Sequence, residues 1–152
     1  MLSKATIVVH GGAWKIPASL SAASLRGVEA AARAGGALLR GGGSALDAVE
    51  RAVRSLEDDE AFNCGRGSVF TAAGTQEMDA SVMTGDLACG AVSGLSRTRN
   101  PIRAARYVME STPHVFFARL PPPSSVVSAS FGIRCKTVNS VRFPSDFLQI
   151  LH

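Results

Sequence analysis

The apolar residues of this 152-residue chain change their spacing along the sequence, from a helical to an alternating pattern. From Ala45 to Leu56 they recur every three to four residues, which predicts an amphipathic helix with one buried stripe. Between Gln76 and Met83 they alternate with polar residues, which predicts a half-buried strand. Because helices and sheets must cover each other's apolar faces, this change in spacing predicts a layered α/β domain.

A capping sequence precedes the predicted helix. Ser44 is followed three residues later by Asp47, so the serine side chain can accept a hydrogen bond from a first-turn amide. The stripe is mostly alanine and valine, and we therefore expect this helix to lie close against a neighbour. On the outer face, the pairs Asp47–Arg51 and Glu50–Arg54 have the i,i+4 spacing that favours ion pairs of about 0.2–0.5 kcal/mol each.

Shorter patterns on either side predict the remaining elements, with glycines at 41–43 ending the first helix and residues 73–75 forming a turn. The predicted elements are a strand at Ala5–Val9 buried on both faces, a helix from Ser19 or Ser21 to about Arg40, strands at Ser68–Ala72, Leu87–Leu95 and His114–Ala118, and a short helix from Asn100 to Glu110.

Composition and charge argue against several classes of protein. The net charge of +4 arises mainly after residue 118, and no basic stripe with interleaved aromatics occurs, so we expect no nucleic-acid partner. The three cysteines form neither a CxxC motif nor a Cys/His metal pattern. No apolar run approaches the roughly 20 residues that cross a bilayer. We therefore expect a cytoplasmic protein with no membrane partner.

Residue 119 marks a change in the character of the sequence. Three consecutive prolines, Pro121–Pro123, follow it, and the remainder has scattered serines without a helical period. The sequence therefore predicts one folded region at 1–118 and a tail at 119–152 whose composition favours disorder.

Several segments, taken together and in order, resemble the plant-type L-asparaginase and isoaspartyl peptidase family of N-terminal-nucleophile hydrolases. The resemblance runs from about Thr6 to Ala118, so the tail at 119–152 lies outside it. It implies a four-layer αββα sandwich, incomplete here because the two sheets of that fold combine strands from both sides of a self-cleavage point. The segments are His10–Gly12, Gly42–Glu50, Leu56–Asp59, Phe62–Val69, Glu77–Ser81, Gly90–Gly94 and Asn100–Glu110.

The resemblance also implies a mechanism whose nucleophile is absent from this sequence. In the family, a precursor cuts itself before a threonine, which then attacks L-asparagine or a β-aspartyl peptide while its freed amine acts as base. That threonine lies in a Gly-Thr-Val segment, whereas Gln76 follows the Gly74–Thr75 pair here. We therefore expect an α-subunit-like half with no catalytic residue of its own. It would need a β-subunit-like half and homodimerisation for activity. A non-catalytic partner-binding fragment and a gene-model artefact are the alternatives.

Four residues acquire site roles through the resemblance. It places His10, Gly11 and Gly12 in a loop near the scissile bond, and Asn63 beside the nucleophile and substrate. An ordinary strand-ending turn and a turn asparagine are the alternatives. Glu77 and Asp79 share one strand face, but the resemblance gives Asp79 no catalytic role, so we interpret it as part of a buried structural ion pair.

The segment from Leu56 to Gly67 resembles a loop that wraps a sodium ion through main-chain carbonyls, which suit a hard cation. The alternative is a surface loop with four consecutive acids, Glu57–Glu60, pointing into water. No organic cofactor is expected. The predicted carbonyl donors are those of Leu56, Glu57, Asp59, Phe62, Cys64 and Arg66.

We predict that the 152-residue chain alone neither cleaves itself nor hydrolyses asparagine or β-aspartyl dipeptide, because it lacks the Gly-Thr-Val segment. Purified protein should migrate as a single full-length band and release no ammonia from asparagine. Two smaller fragments together with turnover would contradict this expectation.

Overall fold

The computed structural model describes residues 5–13 and 15–118. The predicted boundary at residue 119 and the tail beyond it lie outside this region. In chain order the elements are α1 (Ala18–Arg40), α2 (Ala45–Glu57), a 3-10 turn (Gly65–Gly67), β1 (Met78–Met83), β2 (Cys89–Leu95), α3 (Pro101–Ser111) and β3 (Phe116–Ala118).

The three strands form one sheet in the order β1-β2-β3. β1 runs antiparallel to β2, with Ser81 opposite Ala91. β3 runs parallel to β2, with Phe116 beside Ala91. A parallel neighbour requires a crossover connection, and α3 provides it between β2 and β3.

Two apolar clusters hold the layers together, and α2 contributes to both. The first lies between α2, α3 and the inner face of the sheet. The second lies between α1, α2 and the loop after α2. This arrangement confirms the α/β class. The first cluster contains Val49, Val53, Ala80, Val82, Val92, Ile102, Ala105 and Val108. The second contains Ala31, Ala52, Leu56 and Phe62.

The predicted start and close packing of α2 are confirmed. Ser44 Oγ accepts a hydrogen bond from the Asp47 amide at 3.1 Å and donates one to Asp47 Oδ2 at 2.7 Å. A Cβ placed on Gly35 of α1 would lie only 2.7 Å from the Ala48 carbonyl oxygen, so glycine permits the two helices to approach. Ala45, the first residue of the predicted stripe, is exposed.

The outer face of α2 pairs differently from the prediction. Arg54 lies 3.7 Å from Glu50, as the i,i+4 spacing predicted. Asp47, however, binds Arg106 of α3 at 2.7 Å and not Arg51. Spacing within one helix cannot reveal a competing base on a neighbouring helix, and here that base is only 22% exposed.

The strand predicted at Ala5–Val9 is wrong, since this segment has no regular strand structure. Ile7 and Val9 pack against the second cluster, but Val8 is 73% exposed. A strand requires a hydrogen-bonded neighbour, and the described sheet pairs only β1, β2 and β3.

The strand predicted at Ser68–Ala72 is also wrong, because only an isolated bridge joins Phe70 to Gln76. The hydroxyl of Thr71 accepts from the amides of Ala73 and Thr75, and this local turn competes with strand pairing.

The remaining elements agree with the predictions to within a few residues. α1 begins at Ala18, and Pro17 precedes it instead of a capping serine. The Pro17 carbonyl accepts from the amides of Leu20 and Ser21. After α1, Gly42 has a φ of +81°, the left-handed conformation expected where glycine ends a helix. Among the described helices, none has both the length and the hydropathy to cross a membrane.

We predict that Ser44→Ala lowers the free energy of unfolding by about 1 kcal/mol, because the Asp47 amide loses its acceptor. Urea denaturation at neutral pH measures this change. Ser19→Ala is the matched control, since Ser19 is exposed within α1 and no side chain caps that helix. An equal loss of stability in both variants would contradict a capping role.

Candidate functional site

The side chain of Phe62 joins the segment before α1 to the loop after α2. It is 5% exposed and belongs to the second cluster. A Cβ on Gly11 would lie 2.8 Å from its ring, and one on Gly27 of α1 would lie 2.4 Å from it. Since real Cβ atoms do not approach so closely, both positions need glycine for the ring to fit between them.

A cleft of about 500 Å³ opens beside this ring. Its lining includes His10, Gly11, Gly12 and Asn63. The four residues that the resemblance selected, from segments about 50 positions apart, therefore meet at one cavity. Leu20, Leu56, Ala61 and Val69 supply apolar lining.

The polar groups of the cleft are oriented by local hydrogen bonds. His10 Nδ1 accepts from the Gly12 amide at 3.1 Å, and Gly12 has a φ of +102°, which favours glycine. Asn63 Oδ1 accepts from the Val69 amide at 2.9 Å. This bond fixes the plane of the Asn63 side chain and does not use its two N–H donors.

The main chain around the predicted sodium loop is tightly folded. Gly65 has a φ of +54°, and a Cβ there would lie 2.0 Å from the Glu57 carbonyl oxygen. A Cβ on Gly67 would lie 2.1 Å from the Phe62 carbonyl oxygen. Both glycines therefore lie directly against carbonyls that the prediction assigned to the cation.

Three of the other predicted carbonyl donors already accept hydrogen bonds. Leu56 O accepts from the Asp59 amide at 3.1 Å, Asp59 O from the Phe62 amide at 3.3 Å, and Cys64 O from the Gly67 amide at 3.1 Å. A carbonyl oxygen has two lone pairs, so these bonds are compatible with a cation. Among the described residues, no group of three or more His, Cys, Asp and Glu side chains could hold a metal. The sodium site stays a prediction.

The four acids do not all point into water, contrary to the alternative interpretation of this loop. Glu57 is the last residue of α2 and is only 1% exposed. Its Oε1 accepts from the Ile102 amide at 2.9 Å, so it caps α3, while Oε2 is buried without a partner. The sequence held a signal for this burial, because Glu57 lies four residues after Val53 on the apolar stripe.

The other three acids have local partners. Asp58 accepts from Arg99 Nε at 2.9 Å, and this hydrogen bond holds the pKa of the Asp58 carboxyl below its usual value. Asp59 Oδ1 accepts from the Ala61 amide at 2.9 Å. Glu60 pairs with Arg66 at 2.9 Å on the surface.

Burial changes the proton affinity of two groups near the cleft. Desolvation raises the pKa of Glu57 to about 7. Desolvation, together with the negative charges of Glu57 and Asp59, raises the pKa of the Cys64 thiol to about 12. Because the thiolate is the reactive form, this raised pKa disfavours Cys64 as a nucleophile.

Asp79 does not form the buried ion pair that the sequence interpretation assigned to it. Its side chain is exposed and accepts from Ser93 Oγ at 2.6 Å and from the Gly94 amide at 2.9 Å. β1 and β2 place these groups side by side on the sheet face opposite α3. A second depression of about 570 Å³ on this face is lined by Asn63, Asp79 and Ser81, among others, and thus adjoins the cleft.

Comparison with protein families finds a match over most of the chain. The family model described as asparaginase matches residues 3–120. The chain belongs to the asparaginase family.

Individual relatives are similar over the same region. Proteins named isoaspartyl peptidase/L-asparaginase from Danio rerio and Homo sapiens are 52% and 53% identical over 110 and 112 residues. The Xenopus laevis protein of the same name is 51% identical over 113 residues. These matches cover 72–74% of this chain and 36–37% of the relatives, so the chain spans little more than a third of their length.

We predict that the free energy of unfolding falls as the pH rises from about 4.5 to 7, by as much as about 3 kcal/mol from Glu57. The sign follows because the folded state holds the Glu57 proton to higher pH than the unfolded state does. Glu57→Gln keeps an acceptor for the Ile102 amide and should remove this slope.

Urea denaturation at several pH values measures the slope. The control Glu60→Gln removes a carboxylate that is 72% exposed and should leave the slope unchanged. If Glu57→Gln had the wild-type pH dependence, the buried carboxyl would not be its source.

Proposed function

We propose that residues 5–118 form the front part of a hydrolase that acts on L-asparagine and β-aspartyl peptides, with the nucleophilic threonine supplied by a second, β-subunit-like part. The observation that carries this assignment is the cleft at which His10–Gly12 and Asn63 meet. Membership of the asparaginase family and the names of the relatives support the substrate class.

In this proposal the described residues hold the substrate and do not attack it. Asn63 retains two N–H donors, which can bind a carbonyl oxygen that gains negative charge during attack. The backbone of Gly11 and Gly12 lines the same cleft, and position 11 requires glycine because the Phe62 ring packs against it. The raised pKa of the buried Cys64 thiol disfavours its competing as a nucleophile.

The second part would complete the αββα sandwich by covering the open face of the sheet. Ser81, Ala91 and Phe116 lie in register across this face. Serine and alanine leave room for side chains of a second sheet, which packs about 10 Å away in such sandwiches. Val69 and Phe70, at the border of the depression, are 64% and 71% exposed, so a covering sheet would also bury them.

A non-catalytic role in partner binding is the second candidate. The same exposed residues favour it, since uncovered apolar surface promotes association. The two functions differ in whether the assembled protein turns over substrate.

We further propose that the loop from Leu56 to Gly67 binds sodium through its carbonyls. Sodium chloride should then raise the melting temperature relative to choline chloride at equal ionic strength. Asp59→Asn should keep this difference, because the aspartate side chain would not bind the ion. Gly65→Val should abolish it, because the new side chain would meet the Glu57 carbonyl. A preference for calcium that depends on Asp58 or Asp59 would contradict carbonyl binding.

The proposed hydrolase is tested by co-expressing this chain with the part of the human relative that lies outside the matched region. The assembled protein should release aspartate from a β-aspartyl dipeptide. Asn63→Ala should lower kcat/KM by about 100-fold or more, as expected for loss of a donor to a developing oxyanion. The control Arg33→Gln changes a 78% exposed side chain of α1 and should have no effect.

A stable complex without turnover would favour the partner-binding role instead. Turnover that Asn63→Ala leaves unchanged would contradict the assignment of this residue while leaving the family reaction intact.

A further inference from the structure

The open face of the sheet combines exposed apolar side chains with a depression of about 570 Å³. In the part of the chain that the structure describes, α3 packs against the other face, while Asp79 and Ser81 on the open face are exposed. Val69 and Phe70 at the border of the depression are 64% and 71% exposed, and Phe116 of β3 also lines it. Apolar side chains grouped in this way are typical of a surface that another segment covers.

Two acidic side chains of this depression have no basic partner. Glu77 and Asp79 line it, are exposed, and lie two residues apart at the start of β1. Asp79 accepts only from neutral donors, the Ser93 hydroxyl and the Gly94 amide. Among the described residues, no Lys or Arg lines the depression, and no ion pair includes either acid. The open face therefore presents two carboxylates beside its exposed apolar border.

The tail that follows β3 has the opposite charge. Residues 119–152 contain four Lys and Arg residues and one acidic residue. Arg134 and Lys136 lie two residues apart, the same spacing that separates Glu77 from Asp79. In an extended segment, residues at this spacing point to the same side, so the two bases can meet the two acids together.

The connection between the sheet and this basic pair is long enough to reach the acids. The chain leaves the sheet at Ala118, the last residue of β3, and Arg134 follows 16 residues later. β1 is the second neighbour of β3 in the sheet, so it lies about 10 Å away. Because an extended segment of this length spans up to about 50 Å, the tail can cross the open face without displacing β3.

We propose that residues 119–152 bind across the open face of the sheet of their own chain. Arg134 and Lys136 pair with the two acids of the depression, and the apolar residues just before them, Phe131 and Ile133, lie against its exposed border. A segment whose composition favours disorder can become ordered where it binds. The ion pairs orient the tail, whereas apolar burial supplies most of the binding free energy, because exposed ion pairs contribute little.

A bound tail would compete with the second, β-subunit-like part, which would cover the same face. This consequence alone rests on the proposed function, since the placement of the tail follows from the charge and apolar surface of the sheet.

Zero-length cross-linking of the full 152-residue chain tests this placement. A carbodiimide joins a lysine to a carboxylate that is in contact with it, and Lys136 is the only lysine of the tail. We expect mass spectrometry to find peptides that link Lys136 to Glu77 or Asp79. Links to Glu60 should be rare, although its side chain is 72% exposed, because it does not line the depression.

Charge reversal within the tail supplies the matched pair of variants. Arg134→Glu should slow the formation of this link by about fivefold, the upper range for loss of one exposed ion pair. Arg142→Glu makes the same charge change outside the basic pair and should leave the rate unchanged.

An equal mixture of isotope-labelled and unlabelled chains identifies the occupant of the face. Links confined to one isotope support the proposal, whereas links between labelled and unlabelled chains would assign the face to the tail of a second copy and overturn it. Equal coupling of Lys136 to Glu60 and Asp79, or an unchanged rate in Arg134→Glu, would overturn it as well. The links of the unsubstituted chain test the placement even if a variant fails to fold. Because no measurement reads hydrolysis, failure here leaves the proposed hydrolase untouched.

Discussion

The two-sided burial of α2 is the constraint on which the rest of the structure depends. Val49 and Val53 face the sheet and α3, whereas Ala52 and Leu56 face α1 and the loop that follows. Each fully buried valine or leucine side chain contributes roughly 1.5–3 kcal/mol relative to exposure. Because one helix serves both clusters, any shift of α2 would move the sheet layer and the α1 layer together.

The position at which α2 ends determines the geometry of the cleft. α2 ends at Glu57, and the chain then turns sharply enough that Gly65 returns onto the Glu57 carbonyl. This turn places Phe62 between Gly11 and Gly27, and Asn63 beside the His10 loop. The placement of a polar amide next to a glycine loop is thus a consequence of where α2 stops.

Two ionisable side chains, one buried and one half-buried, determine how α3 packs against α2. Glu57 holds the first turn of α3 through the Ile102 amide, and Arg106 joins the middle of α3 to two acids of α2. Both contacts come from α2, and both orient the helix that connects β2 to β3. A buried carboxylate with one unpaired oxygen is costly to desolvate, which explains its raised pKa.

The sequence alone determined the helices and strands that are encoded by patterns within a few neighbouring residues. Through the family resemblance it also selected the residues of the candidate site. The stripe and cap of α2, the start of α3 at Asn100-Pro101 and the buried face of β1 follow from spacing and from capping chemistry. Only the tertiary structure decided that Ala5–Val9 lacks a strand partner, that Asp47 pairs with Arg106 and not Arg51, and that the Glu57 carboxylate accepts from the Ile102 amide. Each of these depends on a group distant in sequence, and pair contacts between distant segments leave no mark in local periodicity.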